Sequence, residues 1–241
     1  MQAKTRGIVL HAMTYNDRYS IVHIYTETFG RVSYMVARSK GKKSNVSKSL
    51  FMPLSVLDME VEHQNKRDIH RIKESKLCFP QNDTFTNPIK NIIALFISEV
   101  LYRSVKETEP DKPLFDFLYN SLSFFETTKE GLANFHIVFL LHLLHYLGIY
   151  PNSESSKNVV YFDMQNGVFT NTIPSHRHFL NMEESMVFRR LLRMGFDNMS
   201  LYSFSRRERA GIINKIIEYY QLHLHDFREI KSIAVFQSLF D

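Results

Sequence analysis

The sequence predicts an α+β multidomain chain in which a small β-barrel is followed by a bundle of helices. Three observations carry that reading: short β-rich runs fill the first 80 residues, apolar residues recur at helical spacing from Asn87 onward, and the excess positive charge is confined to the first third.

The runs come in a meander. Gly7 to Met13 and Tyr19 to Thr26 are rich in β-branched and aromatic residues and are separated by the turn formers Tyr15-Asn16-Asp17-Arg18. After Phe29-Gly30, residues 31 to 37 set Val32, Tyr34 and Val36 against Ser33, Met35 and Ala37. Leu57 to Glu62 alternates apolar with acidic residues, so one of its faces meets water. Asp68 to Lys76 supplies a fifth run with poorer alternation. Five short strands with no helical segment between them predict a small closed or partly closed barrel of the OB type.

From Asn87 the period changes. Ile89, Ile92, Ile93, Phe96, Ile97, Val100 and Leu101 fall on one helical stripe. Pro110 breaks it, and Leu114, Leu118, Leu122 and Phe125 mark a second helix. Residues 132 to 147 are apolar nearly all round, as in the central helix of a bundle, and Gly148 with Pro151 ends them. A polar stretch follows in which Val159 to Phe162 and Val168 to Thr170 flank Asn166-Gly167, predicting an inserted hairpin at about residues 152–175. Asn181 with Glu184 and Ser205 with Glu208 are capping-box patterns that open two more helices. A last helical stretch is expected from about Leu222 to Phe240. The expected division is therefore 1–80 as the barrel domain and 81–241 as the helical domain carrying the hairpin.

Composition excludes several classes. Apolar residues make up 44% of the chain against 8 Gly and 7 Pro, enough for a packed core and too little turn material for disorder. The longest apolar stretch, Phe135 to Ile149, contains three histidines and falls short of the roughly 20 residues a membrane span needs. No secretory pattern opens the sequence, and a cytoplasmic protein with no membrane partner is expected. Cys78 is the one cysteine, so neither an internal disulfide nor a thiolate cluster can form.

Residues 1–80 hold 14 Lys and Arg against 7 Asp and Glu, a net of +7, whereas residues 81–241 hold 16 against 18, a net of −2. That asymmetry suits a polyanion-binding module joined to a near-neutral one. The strongest local feature is Arg31 to Lys48, which contains no acidic residue. Arg31, Arg38, Lys40, Lys42 and Lys43 are the expected phosphate contacts, on a strand and loop that could follow an irregular single-stranded backbone. Lys66, Arg67 and Arg71 form a second group. Tyr15, Tyr19, Tyr25 and Tyr34 could offer stacking faces, although some must lie in the core.

Catalytic signatures are missing. Gly-Lys-Lys-Ser at 41–44 has Val36 where a phosphate-cradling loop needs glycine. His142 and His145 are spaced to share a helix face, but that helix is so apolar that core histidines are the better reading, and no third metal ligand converges on them or on His176, His178, His223 or His225. No cofactor, metal or enzymatic activity is expected.

Thr5-Arg6-Gly7-Ile8-Val9-Leu10, Tyr15, Arg18 and Tyr25-Thr26-Glu27-Thr28-Phe29-Gly30-Arg31-Val32 resemble the opening of the RecO family, with its Gly-Ile-Val-Leu strand, Thr-x-x-x-Gly turn and basic loop. Phe135, Leu140-Leu141 and Leu147-Gly148-Ile149-Tyr150-Pro151 resemble its helical segment, in the right order. The resemblance implies an OB-fold, a helical domain and a zinc-ribbon-like insertion. Members often carry four cysteines in that insertion, and residues 152–175 here carry none, so a degenerate, metal-free hairpin is expected. The resemblance also implies a mediator of DNA repair and recombination. Such a protein binds single-stranded and double-stranded DNA, anneals complementary strands and, with RecR, helps load RecA onto DNA coated with single-strand-binding protein. The acidic C-terminal tail of that coating protein would dock on the helical part, and the site of action would be the nucleoid. Two other classes remain open: an RNA-binding OB protein, which would prefer ribose, and a hydrolase, whose turnover would need His142 or His145.

Overall fold

The computed structural model describes residues 2–38, 50–64, 67–152 and 160–238. Lys40, Lys42, Lys43 and Lys66 lie outside the described residues. The chain forms two compact units, one taking the chain to Thr127 and again from Ile230, the other Thr128–Glu229. The expected boundary at residue 80 falls inside the first of these units.

In the first unit five strands, β1 (Gln2–Thr14), β2 (Tyr19–Thr26), β3 (Gly30–Ala37), β4 (Val56–Glu62) and β5 (Ile69–Leu77), close a barrel in the order β1-β2-β3-β5-β4. β1 runs longer than its apolar pattern suggests because it serves two partners. Gln2–Ile8 pair with β4, and Gly7–Thr14 pair with β2 past an irregularity between Val9 and His11. Gly7 lies where both pairings meet, and a Cβ there would fall 2.5 Å from the Met59 methyl and 2.6 Å from Ile24. The interior is filled by Val9 of β1 and by alternate residues of β2, β3 and β4, namely Val22, Ile24, Val32, Tyr34, Leu57, Met59 and Val61, with Ile72 and Leu77 of β5 partly buried against them. Burying each contributes about 1.5–3 kcal/mol, so the barrel's cohesion lies in this period-two pattern.

The seam of the barrel is narrow. β3 and β5 are parallel and share three residue pairs, Ser33 with Ile69, Tyr34 with His70 and Met35 with Arg71. Before Ser33 the edge of β3 meets a different partner: the Arg31 amide donates to the Glu107 carbonyl at 3.0 Å. Gly30, at φ +60°, lets the chain turn into that edge, and a Cβ there would stand 2.5 Å from the Glu109 carbonyl oxygen. The turn before it is knit by buried Thr26, whose hydroxyl accepts from the Phe29 amide and donates to the Gly30 carbonyl.

Three helices follow in the same unit, α1 (Asn82–Thr86), α2 (Pro88–Ser104) and α3 (Lys112–Thr127), and α7 (Ser232–Ser238) joins them. The predicted stripe of α2 buries Ile93, Phe96, Ile97, Val100 and Leu101, while Ile89 stays exposed beside the Asn87 cap. Two charged residues of α2 serve the ends of other helices. Buried Lys90 donates to the Phe125 and Glu126 carbonyls at the end of α3, at 2.7 and 2.8 Å, and pairs with Asp83 at 2.6 Å. Glu99 accepts from the Lys231 and Ser232 amides that open α7.

The second unit is built on α4 (Leu132–Tyr146), buried from Asn134 to Leu141. Tyr220, also buried, donates to the Leu140 carbonyl at 2.7 Å, and Asn134 donates to the carbonyls of Met199 and Tyr202. The hairpin is present as β6 (Tyr161–Asp163) and β7 (Val168–Thr170), with Gly167 at φ +66°, and a short third strand β8 (Phe179–Leu180) pairs with β6. Both capping boxes form, at the starts of α5 (Met182–Leu191) and α6 (Arg206–His223). The expected continuous final helix does not form. α6 ends at His223, and the chain passes through Asp226 at φ +59°, a left-handed backbone that no regular helix contains, before α7 begins at Ser232.

Candidate nucleic-acid interface

Strand alternation decides which residues of β3 face outward. With Val32 and Tyr34 inside the barrel, Arg31, Ser33, Met35 and Ala37 take the other face. At the end of β3 the Arg38 amide donates to the Arg18 carbonyl at 2.6 Å, and its guanidinium donates to the Asn16 carbonyl at 3.2 Å. The Asn16 side chain in turn accepts from the amides of Arg18 and Tyr19, both at 2.9 Å, which fixes the β1–β2 turn. Arg38 thus stands beside Arg18 and the exposed rings of Tyr15 and Tyr19, 59% and 39% accessible. The remaining two tyrosines are core. Tyr25 and Tyr34 are wholly buried, and burial pushes the Tyr25 hydroxyl up to about 12.

The other candidate cations separate into two places. Arg71 is exposed on β5 opposite Met35, whose other neighbour is Ile21 on β2. Arg31 and Arg67 line a cleft at the seam of the barrel. Arg31 is partly committed: one guanidinium nitrogen donates to the Tyr102 and Val105 carbonyls at 2.9 and 3.0 Å, and the group lies 4.4 Å over the Tyr102 ring. Burial draws its pKa down. Charge alone marked Arg31 in the sequence, and nothing there signalled that these carbonyls, more than 70 residues away, would engage it.

The cleft holds about 660 Å³. It opens where β3 and β5 diverge, between the β4–β5 connection and the segment that joins α2 to α3. Arg67 and Asp68 stand on one rim, and Lys106 and Glu109 on the other. Inside it, Phe29, His63 and His70 form a ladder with successive centroids 4.2 Å apart and planes within 7° of parallel. The Gln64 amide donates to His70 Nδ1 at 3.3 Å. Burial, then the neighbouring His63, lowers the His70 pKa. On the outer wall His23 contacts Ser33 at 3.0 Å, and burial followed by the charge of Arg31 holds its pKa down to about 4. These histidines and Lys106 were not among the residues the sequence singled out.

The histidines considered for metal or catalysis have other partners. His142 contacts the Met194 carbonyl, and His145 stacks on Tyr150 at 3.4 Å. Among the described residues no three His, Cys, Asp or Glu side chains gather as metal ligands. Burial raises the Cys78 thiol to about 11, which makes it a poor nucleophile. In the hairpin, buried Asp163 accepts from the amides of Gln165 and Asn166 and from the Asn166 side chain, and pairs with His176 at 3.3 Å. A second groove, of about 550 Å³, lies between α5 and α6 and carries apolar Val187, Phe188 and Ile212 with both signs of charge. No described helix is long and apolar enough to cross a membrane.

A closed five-stranded barrel followed by helices places the chain in the class of OB-type proteins. Residues 1–80 match the family described as Recombination protein O N terminal, and residues 86–232 match Recombination protein O C terminal. The chain is 44% identical to the DNA repair protein RecO of Azobacteroides pseudotrichonymphae over 241 residues, covering all of both chains. It is 41% identical to that of Bacteroides fragilis over 242 residues and 34% identical to that of Flavobacterium psychrophilum over 242, again at full coverage. The chain belongs to the RecO family of DNA repair proteins.

Proposed function

We propose that this chain is a recombination mediator that binds single-stranded and double-stranded DNA through its barrel, residues 1–80, and anneals complementary strands. With RecR it helps load RecA onto DNA coated with single-strand-binding protein, whose C-terminal tail docks on the helical part. It does so at the nucleoid, in the cytoplasm. The observation that carries this reading is the concentration of charge: a net of +7 in residues 1–80, with an acid-free run from Arg31 to Lys48. That run leaves the barrel at Arg38, beside Arg18 and two exposed tyrosines. Annealing needs no bond-making catalyst. Cations that neutralise phosphates lower the repulsion between two strands, and tethering raises their local concentration.

Arg31, Arg38, Lys40, Lys42 and Lys43 are the primary phosphate contacts in this reading, with Lys66, Arg67 and Arg71 as a second group. Affinity for single strands should fall with salt at a slope of about −0.7 per phosphate contacted. Replacing Lys40, Lys42 and Lys43 together by Ala should flatten that slope by about 2 and slow annealing of oligonucleotides coated with single-strand-binding protein. A slope and an annealing rate both untouched by the triple substitution would remove the basic run from the interface.

A further inference from the structure

We propose that the outer face of β1, β2 and β3 seats the bases of an unpaired DNA strand, with Tyr15 and Tyr19 as the stacking platform that separates single strands from duplex. The inference rests on DNA binding by the barrel and adds to it the residues that read the strand as unpaired.

Cross-strand register assembles this face. Val22 and Ile24 point into the barrel, so Tyr19, Ile21 and His23 take its outside. Pairing then sets three rows side by side: His11 with His23 and Ser33, Met13 with Ile21 and Met35, and Tyr15 beside Tyr19 and Ala37. The first row is closed by the Tyr102 ring, 4.6 Å from that of His11. The other two are open: Met13, Tyr15 and Tyr19 are exposed, and neither tyrosine ring packs on another ring among the described residues. Both rings therefore offer a face to a base.

Charge and spacing identify the occupant. None of the nine residues in these rows is acidic, and Asp17 is the one carboxylate of the adjoining turn. Arg18 and Arg38 stand at the tyrosine end, and Arg71 lies opposite Met35. A face that is apolar and aromatic at its centre and cationic at its margin complements a strand that turns its bases inward and its phosphates to the edge. Rows on one face of a strand repeat at about 6.6 Å, against about 3.4 Å between nucleotides in one strand of a duplex. A strand that sets one base on each row is therefore unstacked, which a duplex is not, and the bases of a duplex have both faces covered by their neighbours.

The test compares, by fluorescence anisotropy, a thymidine oligonucleotide with an abasic one of equal length that carries the same phosphates and no bases. The protein should prefer the thymidine strand by about fivefold or more. Tyr15→Ala combined with Tyr19→Ala should bring that ratio toward parity, and Tyr15→Phe combined with Tyr19→Phe, which keeps both rings, should retain it. The chain has no tryptophan, so tyrosine emission reads the contact directly. Binding of the thymidine strand should quench that emission, and the double Phe variant should bind as tightly with the quench gone. Equal binding of the two strands by the unaltered protein overturns the inference, as does a ratio that a folded double Ala variant retains or a quench that the double Phe variant retains. Should the double Ala variant fail to fold, the quench in the double Phe variant still decides. Binding of neither strand refutes DNA binding by the barrel itself, whereas equal binding of both refutes only the seat on this face.

Discussion

The barrel seam and the inserted hairpin both gather histidines, and they use them in opposite ways. At the seam, His63 and His70 lie face to face, and His23 lies near Arg31; burial and positive neighbours oppose protonation of His70 and His23. In the hairpin region His176 lies 3.3 Å from Asp163 and His178 3.0 Å from Glu218, so each imidazole has a carboxylate partner. The same residue stacks on rings in one place and latches to a carboxylate in the other. What differs is whether a carboxylate stands within reach.

If surroundings rather than position in the chain decide this behaviour, the first kind should be most extreme wherever burial is complete. His136, enclosed in α4, is that case, with its pKa held down to about 3 by burial and then by Arg209. Because its folded pKa lies below its unfolded value near 6.5, the unfolded chain takes up the proton first as the medium is acidified. Stability should therefore drop between pH 6.5 and about 3, by on the order of 3–5 kcal/mol. His136→Leu should flatten that slope in denaturant titrations run across the range. A variant with the parent slope would show that burial is not what sets this histidine apart.

Asp163→Ala tests the latch. It deprives three N–H groups of their acceptor and should cost about 2–4 kcal/mol, seen as faster amide exchange in residues 160–180 with DNA binding intact. The Asp163 carboxyl is held below its usual range because its hydrogen bonds and His176 outweigh the opposing effect of burial. Its contribution should accordingly survive until the pH falls through the carboxylate range near 4 and below. The smallest expected effect is at His23, half screened by solvent. Between pH 6.5 and about 4 it should cost the barrel roughly 1–2 kcal/mol, and His23→Gln should remove that loss, as followed by amide exchange in β2 and β3.

Period and punctuation made much of the fold readable. The five strands, the α2 stripe, the Asn166-Gly167 turn and both capping boxes depend on neighbours within a few residues, and all appear where the spacing put them. Lys90 and Glu99 were invisible as capping groups because their partners lie 35 or more residues away, and a lysine in an apolar stripe looks like a solvated exception. The cleft was hidden for the same reason. Its rings and cations come from four separate segments, and isolated histidines follow no period. Arg18, Tyr15 and Tyr19, by contrast, share one turn and could be read from adjacency, whereas Arg38 reaches that turn only through the pairing of β2 with β3.

The seam wall is held by main chain on both sides: the Arg31 amide meets the Glu107 carbonyl, and the Glu109 carbonyl lies against Gly30. Both contacts use the carbonyls of Glu107 and Glu109, so neither depends on which side chain stands at those two positions. Substitution is instead restricted on the facing strand: proline at 31 would delete the amide that meets Glu107, and any side chain at 30 would collide with the Glu109 carbonyl.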